Sequence, residues 1–291
     1  MAETHSIDTG GASFSVTPVA GKPAARISDL DLSKPLESPV FAALRRVLVE
    51  YPVLVFGDQD LDAMAFHDFA GGFGSLQEHV LRKYRHDDYP GLSWLTNVAP
   101  DGSVDSFGVK RATNWHSDGS YTADPPALGI LHAYETPKNG AGTLFIDMRT
   151  AFDQLAPDLQ SQLRNLTGLH RHGAGPGGEM YDNSLTDEQE KAQQDVRHPA
   201  VTRHPDDGAD ILYVNETHTH RFEDMDKADS IALVKDLMAQ VVRPDAIFHH
   251  HWTPGDLLIW DERSTIHRGE GAYAPTERRI MLRAIVDRFH E

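Results

Sequence analysis

Residues 114–120, with the sequence NWHSDGS, place a histidine and an aspartate two positions apart. Successive side chains of an extended strand alternate between its two faces, so in a strand His116 and Asp118 would point towards the same spot. An imidazole nitrogen and a carboxylate oxygen presented together are two of the three ligands in the facial triad of non-haem Fe(II) sites. The same spacing also arises by chance in a chain with 17 histidines. A third ligand is therefore needed before the pair indicates a metal site.

The far end of the chain supplies that third ligand. The apolar stretch 256–260 is typical of a strand, and His267 follows it. Arg279 lies twelve positions further on, at the start of another strand-like segment over 279–287. The sequence therefore predicts a metal site built from one histidine and one aspartate of the first stretch together with His267.

This order of residues resembles that of the taurine dioxygenase family of 2-oxoglutarate-dependent enzymes, which includes the aryloxyalkanoate dioxygenases. The resemblance covers most of the chain and includes the stretches VLVF at 53–56, PP at 125–126, GAGT at 140–143 and YVNE at 213–216. It is weakest over residues 77–113 and 170–196.

For the fold, the resemblance implies a double-stranded β-helix, or jelly roll, which is mainly β with flanking helices. The pattern of many short strands agrees with this architecture. We expect one jelly-roll domain over residues 13–291, preceded by a disordered tail at 1–12 that is rich in Gly, Ser and Thr. Apolar periodicity also predicts a helix over 150–166 and another over 228–242.

For the site, the resemblance implies that the three ligands hold Fe(II), with 2-oxoglutarate and O₂ as cosubstrates. The substrate is hydroxylated while succinate and CO₂ are released. Arg279 would bind the distal carboxylate of 2-oxoglutarate, and Thr143 would help to hold this cosubstrate. Arg283 would lie nearer the iron, facing the C1 carboxylate of 2-oxoglutarate or the substrate. Strand periodicity alone leaves Arg278 as an alternative to Arg279, because adjacent residues lie on opposite faces.

Arg283 also carries a prediction about the substrate. An unpaired buried charge is costly, so a second inward arginine in an acidic chain needs an acidic partner. This predicts an anionic small-molecule substrate, a carboxylate or a sulfonate. His79, Tyr84 and His86 lie in the first variable stretch and are predicted to contact it. The glycine-rich and then polar segment 170–196 is equally compatible with a mobile lid and with a surface insertion.

Two further features concern possible ligands. The family commonly has Trp-Asp-Asn-Arg shortly before the distal histidine, whereas this chain has Glu262 in the third position. We expect that carboxylate at the rim of the site, without contact with the three ligands. The histidines at 249–251 would alternate between the faces of a strand, so they cannot all bind one ion. We interpret them as strand surface.

Composition narrows the remaining choices. The 291 residues include 44 acids, 27 bases and no cysteine, with a net charge of −17. The negative charge disfavours binding to nucleic acid or to an anionic membrane surface. No apolar run has the length of a membrane span, and the first residues lack the pattern of a signal peptide. We therefore expect a cytoplasmic protein, and we also expect a homo-oligomer, either a dimer or a tetramer.

Two other classes of protein share part of this pattern. A metal-binding jelly roll with non-oxidative chemistry would have the triad but would not require Arg279 and Thr143. A catalytically inactive module would bind 2-oxoglutarate or another ligand without turnover. Metal analysis after anaerobic Fe(II) loading, followed by measurement of succinate release with and without substrate, distinguishes these two classes from a dioxygenase.

Overall fold

The computed structural model describes residues 3–79, 84–99, 101–104, 112–176 and 193–290. These residues contain five helices: α1 Ser38–Glu50, α2 Ala63–Gly71, α3 Met148–Asp153, α4 Pro157–Leu163 and α5 Lys227–Val241. They also contain the strands β1 His5–Asp8, β2 Ser13–Pro18, β3 Ala24–Ser28, β4 Val53–Phe56, β5 Gly74–Leu76, β6 Leu92–Thr96, β7 Leu128–Glu135, β8 Thr143–Asp147, β9 Thr167–His170, β10 Val196–Pro199, β11 Val201–Arg203, β12 Asp210–Leu212, β13 Thr219–Phe222, β14 Phe248–His250, β15 Leu257–Asp261, β16 Thr265–Gly269 and β17 Ile280–Phe289.

The largest sheet has the strand order β1-β2-β3-β4-β15-β7-β17-β5, and β6 also pairs with β17. A smaller sheet has the order β14-β8-β16. Side chains from both sheets meet in one apolar cluster, with Phe145 and Phe248 from the small sheet and Leu131, Leu258 and Met281 from the large one. Two sheets packed over a shared interior form the jelly roll that the sequence predicted.

Helices α1 and α2 cover the outer face of the large sheet. Their apolar residues pack in one cluster with Leu282 and Ala284 of β17. Met281 of the same strand lies in the interior cluster instead, because successive side chains of a strand alternate between its faces. Odd-numbered residues at this end of β17 therefore face the barrel interior. None of the helices in the described residues is long and apolar enough to cross a membrane.

Two predictions of local structure are corrected. Within the expected disordered tail, residues 5–8 form β1, which pairs with β2 and places Ile7 opposite Phe14. Backbone pairing and the packing of Ile7 against the core offset the entropy of ordering this segment.

The helix expected over 150–166 is divided into α3 and α4 before Pro157. Ala156 is extended, with φ −58° and ψ 139°, as a residue that precedes proline prefers. The helix expected over 228–242 is confirmed as α5.

Candidate active site

Three predicted ligands come together at one end of the small sheet. One ligand atom from each of His116, Asp118 and His267 lies within 4.8 Å of the other two. His116 extends the sheet beyond β16 by an isolated bridge to His267, with backbone hydrogen bonds of 3.0 and 2.8 Å in the two directions. This pairing holds the two imidazole rings at a centroid distance of 4.3 Å.

Asp118 reaches the site by a turn rather than by strand alternation, which corrects the expected geometry. Only His116 makes the bridge, and the chain turns at Asp118. The next residue, Gly119, has φ 71°, a region that residues with a Cβ rarely adopt. A Cβ on Gly119 would also lie 2.4 Å from Cδ of Pro126. The turn therefore requires glycine, and it places Oδ1 of Asp118 3.8 Å from Nε2 of His116.

The two histidines present the form of imidazole that binds a metal. Nδ1 of His116 lies 2.8 Å from the carbonyl oxygen of Asn114. A carbonyl oxygen only accepts, so Nδ1 carries the hydrogen and Nε2 keeps a free lone pair. Burial, together with the neighbouring His116, lowers the pKa of His267 to about 3. His267 is therefore neutral at pH 7, as a metal ligand must be.

The third ligand is held by Arg283, which is the first difference from the predicted substrate contacts. Nη1 of Arg283 lies 2.9 Å from Oδ2 of Asp118, and its Nε donates to Oγ of Ser93 at 3.4 Å. Burial alone would raise the pKa of Asp118, but Arg283 and the adjacent imidazoles hold it well below its usual range. Asp118 thus gives Arg283 an acidic partner within the protein, so the charge of Arg283 does not by itself require an acidic substrate, and its contact with the C1 carboxylate or the substrate stays a prediction.

Arg279 lies on the same strand face but has different surroundings. Its backbone N–H donates to Oδ1 of the buried Asn97 at 2.8 Å. Desolvation lowers the pKa of its guanidinium to about 10, opposed only by the hydroxyl of Tyr273. Within the described residues, no carboxylate forms an ion pair with it. Arg278, the alternative, is exposed and pairs with Glu135 at 2.7 Å. The structure therefore offers Arg279, and not Arg278, as the desolvated cation without an acidic partner.

Thr143 faces the same interior as the triad. It stands two residues before Phe145 on β8, and the ring of Phe145 stacks on that of His267 with centroids 5.9 Å apart. The hydroxyl of Thr143 is buried and accepts a hydrogen bond of 2.9 Å from Nε1 of Trp252. Because the oxygen already accepts from the indole, its own hydrogen is available to a ligand in the interior.

The residues predicted to contact the substrate divide into two groups. The rings of His79 and Tyr84 lie 5.6 Å apart, and their contact with substrate stays a prediction. The ring of His86 lies 5.7 Å from that of Trp94, which packs with Leu282 in the cluster under α1 and α2. His86 is thereby placed on the helix-covered side of the large sheet, away from the triad. The prediction for His86 is corrected on this ground.

Glu262 departs from its predicted place at the rim. It is 1% exposed, and its carboxylate accepts hydrogen bonds from the backbone N–H of Asp118 at 3.0 Å and from Nε1 of Trp260 at 2.5 Å. Burial and the charge of Asp118 raise the pKa of Glu262 well above its usual value. Its Oε2 also lies 3.9 Å from Nδ1 of His267, which has no hydrogen-bond partner within the described residues. Glu262 therefore holds Asp118 by a hydrogen bond to its backbone and lies near His267 without a hydrogen bond to it.

Sequence reasoning missed His218. Its ring is buried and lies 6.2 Å from that of His116 and 4.8 Å from that of Tyr121. Its Nδ1 accepts a hydrogen bond of 3.0 Å from the backbone N–H of Gly173, and burial lowers its pKa well below the usual value. A neutral ring that accepts at Nδ1 carries its hydrogen on Nε2. No periodic pattern marks an isolated loop histidine; its only signal was proximity to YVNE at 213–216, where Asn215 accepts from the His218 backbone N–H at 2.8 Å.

The expected lid is only partly visible, since residues 177–192 lie outside the described residues. Residues 171–176 precede that segment, and they include Gly173, which is bonded to His218. The choice between a lid and a surface insertion therefore stays a prediction.

Comparison with known proteins agrees with this site. The sequence profile described as "Taurine catabolism dioxygenase TauD, TfdA family" matches residues 15–285. The chain belongs to this family. It is 30% identical over 270 residues, covering 90% of this chain and 93% of the relative, to the alpha-ketoglutarate-dependent 2,4-dichlorophenoxyacetate dioxygenase of Cupriavidus pinatubonensis. It is 28% identical over 294 residues, covering 93% of this chain and 94% of the relative, to pentalenolactone F synthase of Streptomyces arenae.

A solved structure of a similar protein bears on the cofactors of the TauD/TfdA family. The crystal structure of AAD-2 in complex with Mn(II) and N-oxalylglycine matches with a TM-score of 0.81 and 27% identity, covering 95% of this chain and 98% of that one. Mn(II) and N-oxalylglycine stand in for Fe(II) and 2-oxoglutarate. Two imidazoles and one carboxylate with ligand atoms within 4.8 Å of one another fit such an ion. The protein is a 2-oxoglutarate-dependent dioxygenase that uses Fe(II) and O₂.

Proposed function

We propose that this dioxygenase hydroxylates a small organic acid, with Fe(II) held by His116, Asp118 and His267 and with 2-oxoglutarate held by Arg279 and Thr143. The assignment of Arg279 to 2-oxoglutarate rests on a difference between Arg279, just before β17, and Arg283, within it. Arg283 is neutralised by Asp118, whereas Arg279 is desolvated and has no acidic partner among the described residues. A desolvated guanidinium without a partner destabilises the protein unless an anion binds to it. The distal carboxylate of 2-oxoglutarate is such an anion.

The roles of the side chains follow from their contacts. The planar guanidinium of Arg279 would bind the distal carboxylate through two parallel N–H bonds. The hydroxyl of Thr143, which already accepts from Trp252, would donate to a cosubstrate oxygen. Arg283 keeps Asp118 ionised and oriented towards the two imidazoles. Bound Fe(II) supplies the oxidative chemistry with O₂, and the protein supplies position and the exclusion of water.

Two observations support an acid as the substrate class. The relative from Cupriavidus pinatubonensis is named for 2,4-dichlorophenoxyacetate, which is an aromatic carboxylate. In this chain, neutral His218 lies beside His116, and the tautomer set by Gly173 leaves an N–H donor on Nε2. A buried N–H donor suits an acidic oxygen, and Tyr121 beside it suits an apolar body.

A matched substrate series tests the proposal. Carboxylates and sulfonates are each compared with their neutral amides or esters, and succinate release is measured with iron and 2-oxoglutarate saturating. We expect substrate-dependent succinate release with acids and at most background release with the neutral partners. Equal rates within each pair would contradict an acid-specific site while leaving the dioxygenase reaction intact. Absence of 2-oxoglutarate turnover with every compound, despite stoichiometric iron, would favour the inactive binding module.

We also infer a single domain over residues 13–291, a dimer or tetramer, and a place in the cytoplasm. The single domain is supported by β2 and β17, from the two ends of this range, which lie in one sheet that β1 extends to residue 5. Light scattering after size-exclusion chromatography tests the oligomer, and a monomer would contradict it. Cell fractionation tests the location.

A further inference from the structure

The outer face of the small sheet carries a second group of side chains of the types that bind metal ions. Directly opposed residues of paired strands share a face of the sheet. His267 and Phe248 both stand opposite Phe145, whose side chain lies in the interior. His249, one residue further along and opposite Leu144, therefore faces outwards.

The three consecutive histidines alternate as expected, but two of them fall on the same side. His250 is buried and lies 3.1 Å from Oδ2 of Asp256. His249 and His251 lie on the other side, with ring centroids 4.0 Å apart. Glu270, which follows β16, brings Oε2 to 3.2 Å from Nε2 of His249. One ligand atom from each of these three outer residues lies within 4.8 Å of the other two.

Gly142 shapes the floor of this outer cluster. A Cβ on Gly142 would lie 2.2 Å from Nε2 of His249, so only glycine leaves room for the imidazole at this place. The backbone N–H of Gly142 donates to Oε2 of Glu270 at 3.1 Å. The carboxylate beside His249 is therefore held by a backbone N–H just before β8 and not by exposed side chains alone.

We propose that His249, His251 and Glu270 bind a second divalent metal ion, Zn²⁺, on the outer face of the small sheet. Two imidazoles and one carboxylate, with water in the fourth position, are a common tetrahedral zinc set. At zinc bond lengths, neighbouring ligand atoms stand about 3.4 Å apart. His249 and Glu270 already meet this spacing, and His251 is exposed and free to rotate towards them.

The proposed zinc site is separate from the catalytic centre. Glu270 follows His267 by three residues, or about 10 Å of extended chain, and the two groups face opposite sides of the sheet. β14 is the edge strand of the small sheet, and β8 lies between it and β16. An ion bound to the outer group would therefore tie this edge strand to the chain beyond β16, and it would stabilise the folded state in proportion to its occupancy.

The test requires a catalytic centre that no longer holds metal. We would use the full chain with Asp118→Ala and His267→Ala, stripped with a chelator, loaded with Zn²⁺ and freed of excess metal. Zinc per chain is measured by mass spectrometry, and the melting temperature is measured with and without Zn²⁺. We expect one zinc ion per chain and a melting temperature that rises with Zn²⁺. Adding His251→Ala should abolish both, with the metal-free melting temperature unchanged because His251 is exposed.

His67→Ala in the same background is the matched control. The side chain of His67 is 37% exposed, and its Nδ1 lies 3.2 Å from Asp68, so it is also a surface histidine beside a carboxylate. We expect this control to keep its zinc ion. The proposal is overturned if the two-substitution background retains no zinc, or if it retains zinc after His251→Ala. Equal zinc loss from the His67 control would likewise overturn it, since binding would then be a general property of surface histidines.

Discussion

Arg279, just before β17, and Arg283, within it, lie on the same strand face and differ in whether an acidic side chain pairs with them. Arg283 lies 2.9 Å from the carboxylate of Asp118 and is further bound to Ser93. The backbone N–H of Arg279 donates to Oδ1 of Asn97, and desolvation lowers the pKa of its guanidinium to about 10, opposed by Tyr273. Arg283 forms a charge pair inside the protein, whereas no carboxylate among the described residues pairs with Arg279, which we propose binds 2-oxoglutarate.

This difference shows that strand face alone does not assign function. Alternation places both residues in the interior, but their roles depend on which neighbour the turn at 118–120 brings to them. Gly119 allows that turn, and the turn carries Asp118 to Arg283. The contrast between the two arginines can be tested by substitution at Asp118, at each arginine and at Asn97.

Asp118→Ala should have the largest effect. It removes a metal ligand and at the same time leaves Arg283 without its partner. An uncompensated cation beside two imidazoles repels a divalent ion, so we expect turnover below detection and loss of stoichiometric iron. Iron content and succinate release are measured together, with circular dichroism to confirm folding. Full activity with bound iron would remove Asp118 from the triad.

Arg279→Ala should raise the KM for 2-oxoglutarate far more than it lowers kcat. Removing one partner of a buried charge pair costs about 2–5 kcal/mol, which corresponds to about a 30- to 5,000-fold change in affinity. Arg278→Ala is the matched control, because that side chain is exposed and pairs with Glu135 on the surface. Exposed pairs contribute little, so its KM should change by less than about fivefold. The larger effect in Arg278→Ala would reverse the assignment.

Arg283→Gln should show the opposite kinetic pattern. Glutamine keeps a donor near Asp118 but loses the charge that holds this carboxylate ionised and oriented. Loss of such a supporting partner lowers activity about 10- to 100-fold, and we expect the change in kcat with little change in the KM for 2-oxoglutarate. Arg288→Gln on the same strand is the control, since its side chain is 75% exposed and pairs with Asp124. If Arg283→Gln instead changes only the KM, Arg283 belongs to the cosubstrate site.

The parts of this molecule that sequence patterns predicted are those fixed by local periodicity. The apolar run of β4 and the stripe of α5 follow from the composition of a buried strand and the period of a helix, whereas the choice of Arg279 over Arg278 came from the family resemblance. The division of α3 from α4 was not predicted, although Pro157 stands at that boundary and disfavours a helical residue before it. The alternation of residues 249–251 was correct, but the presence of Glu270 beside two of them was not readable from spacing.

What the sequence did not reveal depends on contacts between distant segments. Glu262 reads as an acidic surface residue, yet it lies buried under Asp118, 144 positions away in the chain. His218 meets His116 only because Asn215 and Gly173 fix its loop. In the sequence, His86 stands among aromatic residues and histidines, as a pocket residue would. In the structure its ring packs beside Trp94, which belongs to the cluster under α1 and α2. Each depends on tertiary packing that no local period encodes.

Asn97→Ala should have the smallest effect, and it tests whether Arg279 is positioned by the backbone pairing on which the contrast depends. The buried side chain of Asn97 accepts from the Arg279 N–H at 2.8 Å and donates to the carbonyl of Glu277 at 2.8 Å. Alanine removes both hydrogen bonds and leaves the Arg279 side chain chemically unchanged. A neutral hydrogen bond contributes about 0.5–1.5 kcal/mol, so we expect a rise of about two- to tenfold in the KM for 2-oxoglutarate.

The kcat of Asn97→Ala should be unchanged, because Asn97 contacts neither the triad nor Arg283. Asn165→Ala is the control for loss of an asparagine hydrogen bond. Asn165 lies just after α4, and its amide donates to the carbonyl oxygen of Ser161 within that helix. The double variant Asn97→Ala/Arg279→Ala sharpens the test. If Asn97 acts through Arg279, the second substitution should add less to the KM than it does alone, because contacting residues are not additive. Full additivity would mean that Asn97 affects the cosubstrate by another route, and that the position of Arg279 is set by β17 alone.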